Sequence, residues 1–173
     1  MLIIWKDEFC IDHAAIDADH RNIIGRINYI IRAITPGCDL GEISSCLREL
    51  YRVTCAHFFR ETILQEVSSF PHINEHRKLH ERLLSELLDY IQYVEKLASE
   101  TKGDRHLERE LAACKSFLYR WILGHILDQD KKMTEYVEAM RTADDEVLNQ
   151  DIEDLIPYIV KTAGVNAEMS RVV

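Results

Sequence analysis

Apolar residues recur three and four positions apart from about Ile16 to Ile126, the spacing that gathers them on one face of an α-helix. This pattern predicts a first helix from near Asp17, with Ile16, His20, Ile23, Ile24, Ile27, Ile31 and Ile34 on its inner stripe, ended by Thr35-Pro36-Gly37. Asp39-Leu40-Gly41-Glu42, with an acid three residues after a candidate cap, opens a second helix that runs to about Glu66, before Ser68 and Ser69. Pro71 suits the first position of a third helix, where a missing N–H costs nothing. That helix continues to about Ser99 and turns Ile73, His76, His80, Leu83, Leu87, Ile91 and Val94 inward. Beyond Thr101-Lys102-Gly103, Asp104 is a candidate cap for a fourth helix carrying Leu111, Cys114, Leu118, Trp121, Ile122 and His125. The fold class is therefore all-α: an antiparallel up-down four-helix bundle, with an N-terminal arm before it and a partly helical C-terminal extension after it.

The bundle is expected over residues 1–133 and the extension over 134–173, where Asp144, Asp145, Glu146, Asp151, Glu153 and Asp154 make the chain acidic. Ile152, Leu155, Ile156, Ile159 and Val160 have helical spacing there, interrupted by Pro157, and read either as a short docked helix or as a linker that meets a partner. A net charge of -9 with no basic stripe argues against nucleic acid as a partner. No apolar run approaches the ~20 residues that cross a bilayer. Lys6, Asp7 and Glu8 interrupt any secretory core near the N-terminus, so a cytoplasmic location is expected. The five cysteines are odd in number and lack C-x-x-C spacing, which suits reduced thiols.

Imidazoles and carboxylates on inward stripes need a physical reason, because an unpaired buried charge is costly. His57 and Glu61 lie four apart on the second helix, and His76 and His80 repeat the spacing on the third, so each pair projects from one face a turn apart. With His20 and His125 they form a nitrogen and oxygen donor set without thiolate. Such a set favours iron or manganese, with zinc also compatible, and carboxylates that can bridge suggest two ions. Metal binding should then contribute part of the folding free energy, leaving the metal-free chain less stable. Asp130 is the exception on spacing: five residues after His125, it points about 140° away around an ideal helix and reaches inward only where the helix bends, frays or widens.

Taken together these residues resemble the hemerythrin family, and specifically its bacterial hemerythrin-like domains. The resemblance is carried by Trp5, Ile16-Asp17-Ala18-Asp19-His20, Asn28, His57-Phe58-x-x-Glu61, Phe70-Pro71, His76-x-x-x-His80, and Trp121-Ile122-x-x-His125-Ile126-x-x-x-Asp130 followed by Lys131 and Lys132. It covers residues 5 to about 133 and implies two iron ions with an oxo or hydroxo bridge. His76, His80 and His125 would hold one iron, His20 and His57 the other, with Glu61 and Asp130 bridging. The iron with fewer histidines would keep an open position where dioxygen binds reversibly as hydroperoxide. Gln65, Ile122, Trp121, Phe58 and Ile24 are the candidates for the pocket wall or for groups supporting the ligands.

The chain departs from the family pattern after Glu61, where Thr62 and Gln65 replace the usual Glu and Met. Gln65 lies one turn beyond Glu61, and either brings an amide or a water towards the irons or turns away from them. His72 reads as a supporting or surface group, His13 and His106 as surface. The resemblance implies a binding protein for oxygen storage, delivery or sensing rather than an enzyme. The alternatives are a sensing module acting on a partner or output domain through the extension, and a di-iron peroxidase or ferroxidase. The paired Glu-x-x-His motifs of ferritin-like enzymes are absent from the sequence.

Overall fold

The computed structural model describes residues 2–99 and 104–141, the side chains of 104–108 excepted. A 3-10 turn at Asp7–Phe9 precedes four long helices, α1 (Ala14–Ala33), α2 (Leu40–Val67), α3 (Ile73–Ser99) and α4 (Asp104–Asp128). A 3-10 stretch, Asp130–Tyr136, and a one-turn helix α5 (Val137–Met140) follow. No strand occurs among the described residues. Helix α2 packs on both α1 and α3, and α1 also packs on α4, which closes an antiparallel four-helix bundle. No helix among the described residues is long and apolar enough to cross a membrane.

The predicted stripes are the core. Ile23, Ile24, Ile27, Ile31 and Ile34 of α1 and its C-cap meet Leu47, Leu50 and Tyr51 of α2, Leu83, Leu87, Ile91 and Val94 of α3, and Leu111, Cys114, Leu118 and Ile122 of α4. Arg48 and Ser44 on α2 both bond Glu95 on α3, tying the two helices along their outer edge. Cys55 and Cys114 are buried and Cys10, Cys38 and Cys46 half-buried, all with free thiols.

Several boundaries differ from the expectation, for local reasons. Helix α1 starts at Ala14 rather than near Asp17, because the His13 carbonyl already accepts the Asp17 amide at 2.9 Å. The Asp17 carboxylate then serves the arm instead of capping a helix, accepting from the Ile11 amide at 2.8 Å. Asp39 does cap α2, accepting from the Gly41 amide. That helix ends in a closing pair of bonds, Phe70 amide to Gln65 carbonyl and Ser69 amide to Glu66 carbonyl, with Ser69 at a left-handed φ of 54°. Phe70 and Leu64 share an apolar cluster across this turn. Pro71 is not the first residue of α3: the first helical bond runs from the His76 amide to the His72 carbonyl, which leaves Pro71 in the connecting turn. Helix α4 begins at Asp104 itself, whose side chain, like that of His106 and the predicted helical segment at 152–160, lies outside the described residues.

The N-terminal arm is anchored by Asn28, whose amide donates to the Ile3 carbonyl at 2.7 Å while its carbonyl accepts from the Ile3 amide at 2.8 Å. Trp5 meets Phe9 edge-on and carries the Arg21 guanidinium on its face, 4.2 Å from the ring centre. A second, smaller core of Ile11, Ile16, Leu64, Phe70, Met133, Val137 and Met140 joins the arm to the residues after α4. Asn28→Ala removes both arm bonds and should cost about 1–3 kcal/mol. Hydrogen exchange at the Ile3 amide should quicken in that variant, and unchanged protection there would contradict the anchoring role.

Candidate metal centre

Each helix of the bundle sends polar side chains to one buried place. Residues four apart on a helix share a face, which is why α2 can bring His57 and Glu61, and α3 His76 and His80, to the same level of the core. Helix α1 contributes His20 and α4 His125. Asp130 arrives because α4 stops at Asp128: the backbone passes through Gln129 into a 3-10 stretch, whose tighter winding turns the Asp130 carboxylate inward. Glu61, Asp130, His20 and His57 have no exposed surface, and His125, His76 and His80 have almost none.

The seven side chains form two overlapping groups, Glu61, His76, His80, His125 and Asp130 in one and His20, His57, Glu61 and Asp130 in the other, with the ligand atoms of each group within 4.8 Å of one another. Both carboxylates belong to both groups. Glu61 Oε2 lies 3.1 Å from His80 Nε2, 3.6 Å from His76 Nε2, and 3.8 Å from the Nε2 atoms of both His57 and His125. Asp130 Oδ1 faces the Nε2 atoms of His76 and His125 at 3.2 and 3.1 Å, and its Oδ2 faces His20 Nε2 at 3.3 Å. His80 Nε2 approaches His125 Nε2 at 3.2 Å, although two neutral imidazoles satisfy each other only as one donor and one acceptor.

Apart from that pair, closeness does not produce hydrogen bonding in the cluster. His20 Nε2, His57 Nε2, His76 Nε2 and all four carboxylate oxygens of Glu61 and Asp130 are buried with no hydrogen-bond partner in the protein. Native interiors leave few such atoms orphaned, and a cluster of them aimed at shared space calls for a cation. The donor set of neutral imidazoles and carboxylates suits borderline divalent ions, and the overlap at Glu61 and Asp130 suits a pair of them. The residues fit a di-metal centre.

Further contacts surround this cluster. Phe58 stacks on the His80 ring at 3.7 Å between centroids and meets His125 edge-on at 5.0 Å, walling one side with an apolar face. Trp121 donates to the Leu83 carbonyl at 3.0 Å, and Ile24 and Ile122 are buried in the main core. Gln65 is buried too, with its amide nitrogen 3.2 Å from the Met133 sulfur and its Oε1 unpartnered. A thioether therefore adjoins position 65 after all, supplied from the 3-10 stretch. His72 is exposed beside Phe70. His13, expected at the surface, is buried at the cap of α1, where burial lowers its pKa despite the nearby Asp17.

Sequence reasoning missed the contacts on the outer side of the imidazoles. His20 Nδ1 lies 3.3 Å from the Phe9 carbonyl and His57 Nδ1 lies 3.6 Å from Asp19 Oδ2. No spacing rule connects the arm to α1 or Asp19 to a residue on another helix. The position of Asp19, immediately before His20, was the one available signal.

An all-helical bundle whose core gathers these donors defines a protein built around a pair of metal ions. Residues 12–137 match the Hemerythrin HHE cation binding domain, and the chain belongs to that family, whose domain is a di-iron site. It is similar to the Bacteriohemerythrin of Pseudomonas aeruginosa, 28% identical over 151 residues that span 87% of this chain and 90% of the relative. The Bacteriohemerythrin of Stenotrophomonas maltophilia is 26% identical over 80% of this chain and 83% of its own length. Hemerythrin subunit 1 of Golfingia vulgaris is 26% identical over 84 residues, 49% of this chain and 67% of the relative.

Without metal, protons take over the balance of charge. Burial pushes Glu61 up, and burial with the Glu61 charge pushes Asp130 up, but the surrounding histidines outweigh this and hold both carboxyls below their ordinary range. Burial pushes His76 down, yet Asp130 and Glu61 raise it to about 9, and His57 is raised by Glu61 and Asp19 against the same burial. At His80 burial wins and the pKa falls to about 3. A raised His76 stabilises the fold below its ordinary 6.5, and that contribution is lost as pH climbs through about 9. Depressed carboxyls stabilise above their ordinary range, and the contribution is lost on acidification, while a neutral buried His80 resists charging below 6.5. Metal-free protein should thus melt highest near pH 6.5. If a metal bound at the cluster displaces the His76 proton, the gap in Tm between iron-loaded and metal-free protein should widen from pH 6.5 to 9. A gap that narrows over that range would contradict this assignment of protons.

Proposed function

We propose that the chain binds dioxygen reversibly at a reduced pair of irons, for oxygen storage, delivery or sensing. One observation carries the reading: the two donor groups share both of their carboxylates, Glu61 and Asp130, so a single buried cluster offers places for two adjacent ions. In this reading His76, His80 and His125 serve one iron, His20 and His57 the other, and Glu61 and Asp130 bridge. When bound, the irons supply two electrons that can be lent to dioxygen and recovered. The hemerythrin relatives favour a binding protein over an enzyme.

The protein's own contribution is geometric and dielectric. The group containing His20 and His57 has four protein donors and the other has five, so the four-donor side leaves more room for an external ligand. Phe58, stacked on His80 and edge-on to His125, covers one side of the cluster with an apolar ring. Low polarity around a metal site limits proton delivery and prolongs a bound state that acid would release. Gln65 works against this, because its unpartnered Oε1 is a buried acceptor that can hold a water one turn from Glu61.

Anaerobically reduced protein should contain two irons per chain and should develop a ligand-to-iron visible band in air that disappears on removing oxygen. One iron, or a band that never reverses, would exclude the reading. Gln65→Met removes the buried amide and should lengthen the lifetime of the oxygenated form several-fold. An unchanged lifetime would show that Gln65 has no part in its decay.

A further inference from the structure

The two imidazoles of the four-donor group are supported differently on their outer side. His20 Nδ1 meets a backbone carbonyl, that of Phe9, at 3.3 Å. His57 Nδ1 meets a carboxylate oxygen, Asp19 Oδ2, at 3.6 Å, and that same oxygen accepts from Arg60 Nη1 at 2.9 Å. His57 is fully buried, whereas the Asp19 and Arg60 side chains are 19% and 12% exposed. Asp19 belongs to α1 and the other two to α2, so the contact spans the packed faces of two helices.

We propose that Asp19 is a positioning residue for His57, orienting the imidazole and strengthening its donation to a metal, and that Arg60 sets the strength of that effect. The inference rests on the di-iron reading above. A metal on Nε2 leaves the imidazole proton on Nδ1, where it requires an acceptor. His57 Nδ1 is buried and has no hydrogen-bond partner, so Asp19 is the group placed to serve it. A separation of 3.6 Å exceeds the hydrogen-bond range of about 2.7–3.2 Å, and a ring movement of about half an ångström closes it. On its inner side His57 stands 3.8 Å from Glu61 Oε2, against 3.1 Å for His80.

A carboxylate acceptor draws the Nδ1 proton towards itself and gives the imidazole more anionic character, which makes Nε2 a stronger donor to an oxidised metal. Arg60 opposes this by holding the same oxygen in a charge-assisted bond. The pair thus places a control on the four-donor side of the cluster, out of reach of any direct contact with a ligand there. A backbone carbonyl at His20 offers no equivalent adjustment.

The test compares Asp19→Asn, Arg60→Met and the double variant in iron-loaded full-length protein. Asp19→Asn keeps the side-chain shape and removes the charge, so iron affinity against a competing chelator should fall about 10–100-fold. The midpoint potential of the irons should rise in Asp19→Asn and fall in Arg60→Met. Adding Arg60→Met to the Asp19→Asn background should lower the potential much less than it does in the unsubstituted protein, because Arg60 acts on His57 through Asp19. Opposite signs from two changes at one ion pair are not produced by a loosened fold. If Asp19→Asn does not fold, the downward shift in Arg60→Met carries the test, and its absence overturns the proposal. Unsubstituted protein with two irons and variants of unchanged affinity and potential would refute the role of Asp19 alone. Failure of the unsubstituted protein to take up iron would remove the di-iron reading and this proposal together.

Discussion

Two carboxylates sealed among five imidazoles are the constraint around which the bundle is organised. Glu61 and Asp130 have no solvent exposure and no hydrogen-bond partner, a combination that would be strongly destabilising without positive charge beside it. The cluster accepts that charge in either of two forms. A proton on His76, whose pKa the two carboxylates raise to about 9, provides it in the metal-free chain, and cations would provide it in the loaded one. Folding and metal binding are for this reason two aspects of one electrostatic balance.

That balance explains the departures from regular helical geometry. Helices α2 and α3 each bring two of the clustered donors inward without distortion, because residues four apart already share a face. Helix α4 cannot do so for His125 and Asp130, and its α-helical winding ends between them. The 3-10 stretch that turns Asp130 inward is then held by Met133, which packs with Leu64 and Phe70 at the end of α2 and touches Gln65. Lys131 and Arg141 bond the Cys10 and Asp12 carbonyls of the arm, so the chain before α1 braces the segment after α4. A carboxylate that breaks helical register needs such bracing, since nothing in the helix itself holds it.

Much of this was legible from spacing. The four helices follow from the three-and-four recurrence of isoleucine and leucine, and His57 with Glu61 and His76 with His80 follow from the same periodicity. Asp130 was legible only through the family resemblance, because its inward turn depends on where α4 stops winding. The start of α1 at Ala14 is not legible, because the Asp17 carboxylate is committed to the Ile11 amide of the arm, a contact invisible in local sequence. The sequence expects Pro71 at the first position of α3, whereas the helix starts at Ile73, after the turn that carries Pro71. Burial of His13 and the contacts of Asp19 depend on packing between segments distant along the chain, which periodicity does not encode.

On the di-iron reading, the seven side chains enclose two metal ions that share Glu61 and Asp130. Anomalous diffraction at the iron edge from crystals of the iron-loaded protein addresses it directly. Two peaks are expected, one among His76, His80 and His125 and one beside His20 and His57, with both carboxylates between them. A single peak, or iron located away from this cluster, would contradict the account.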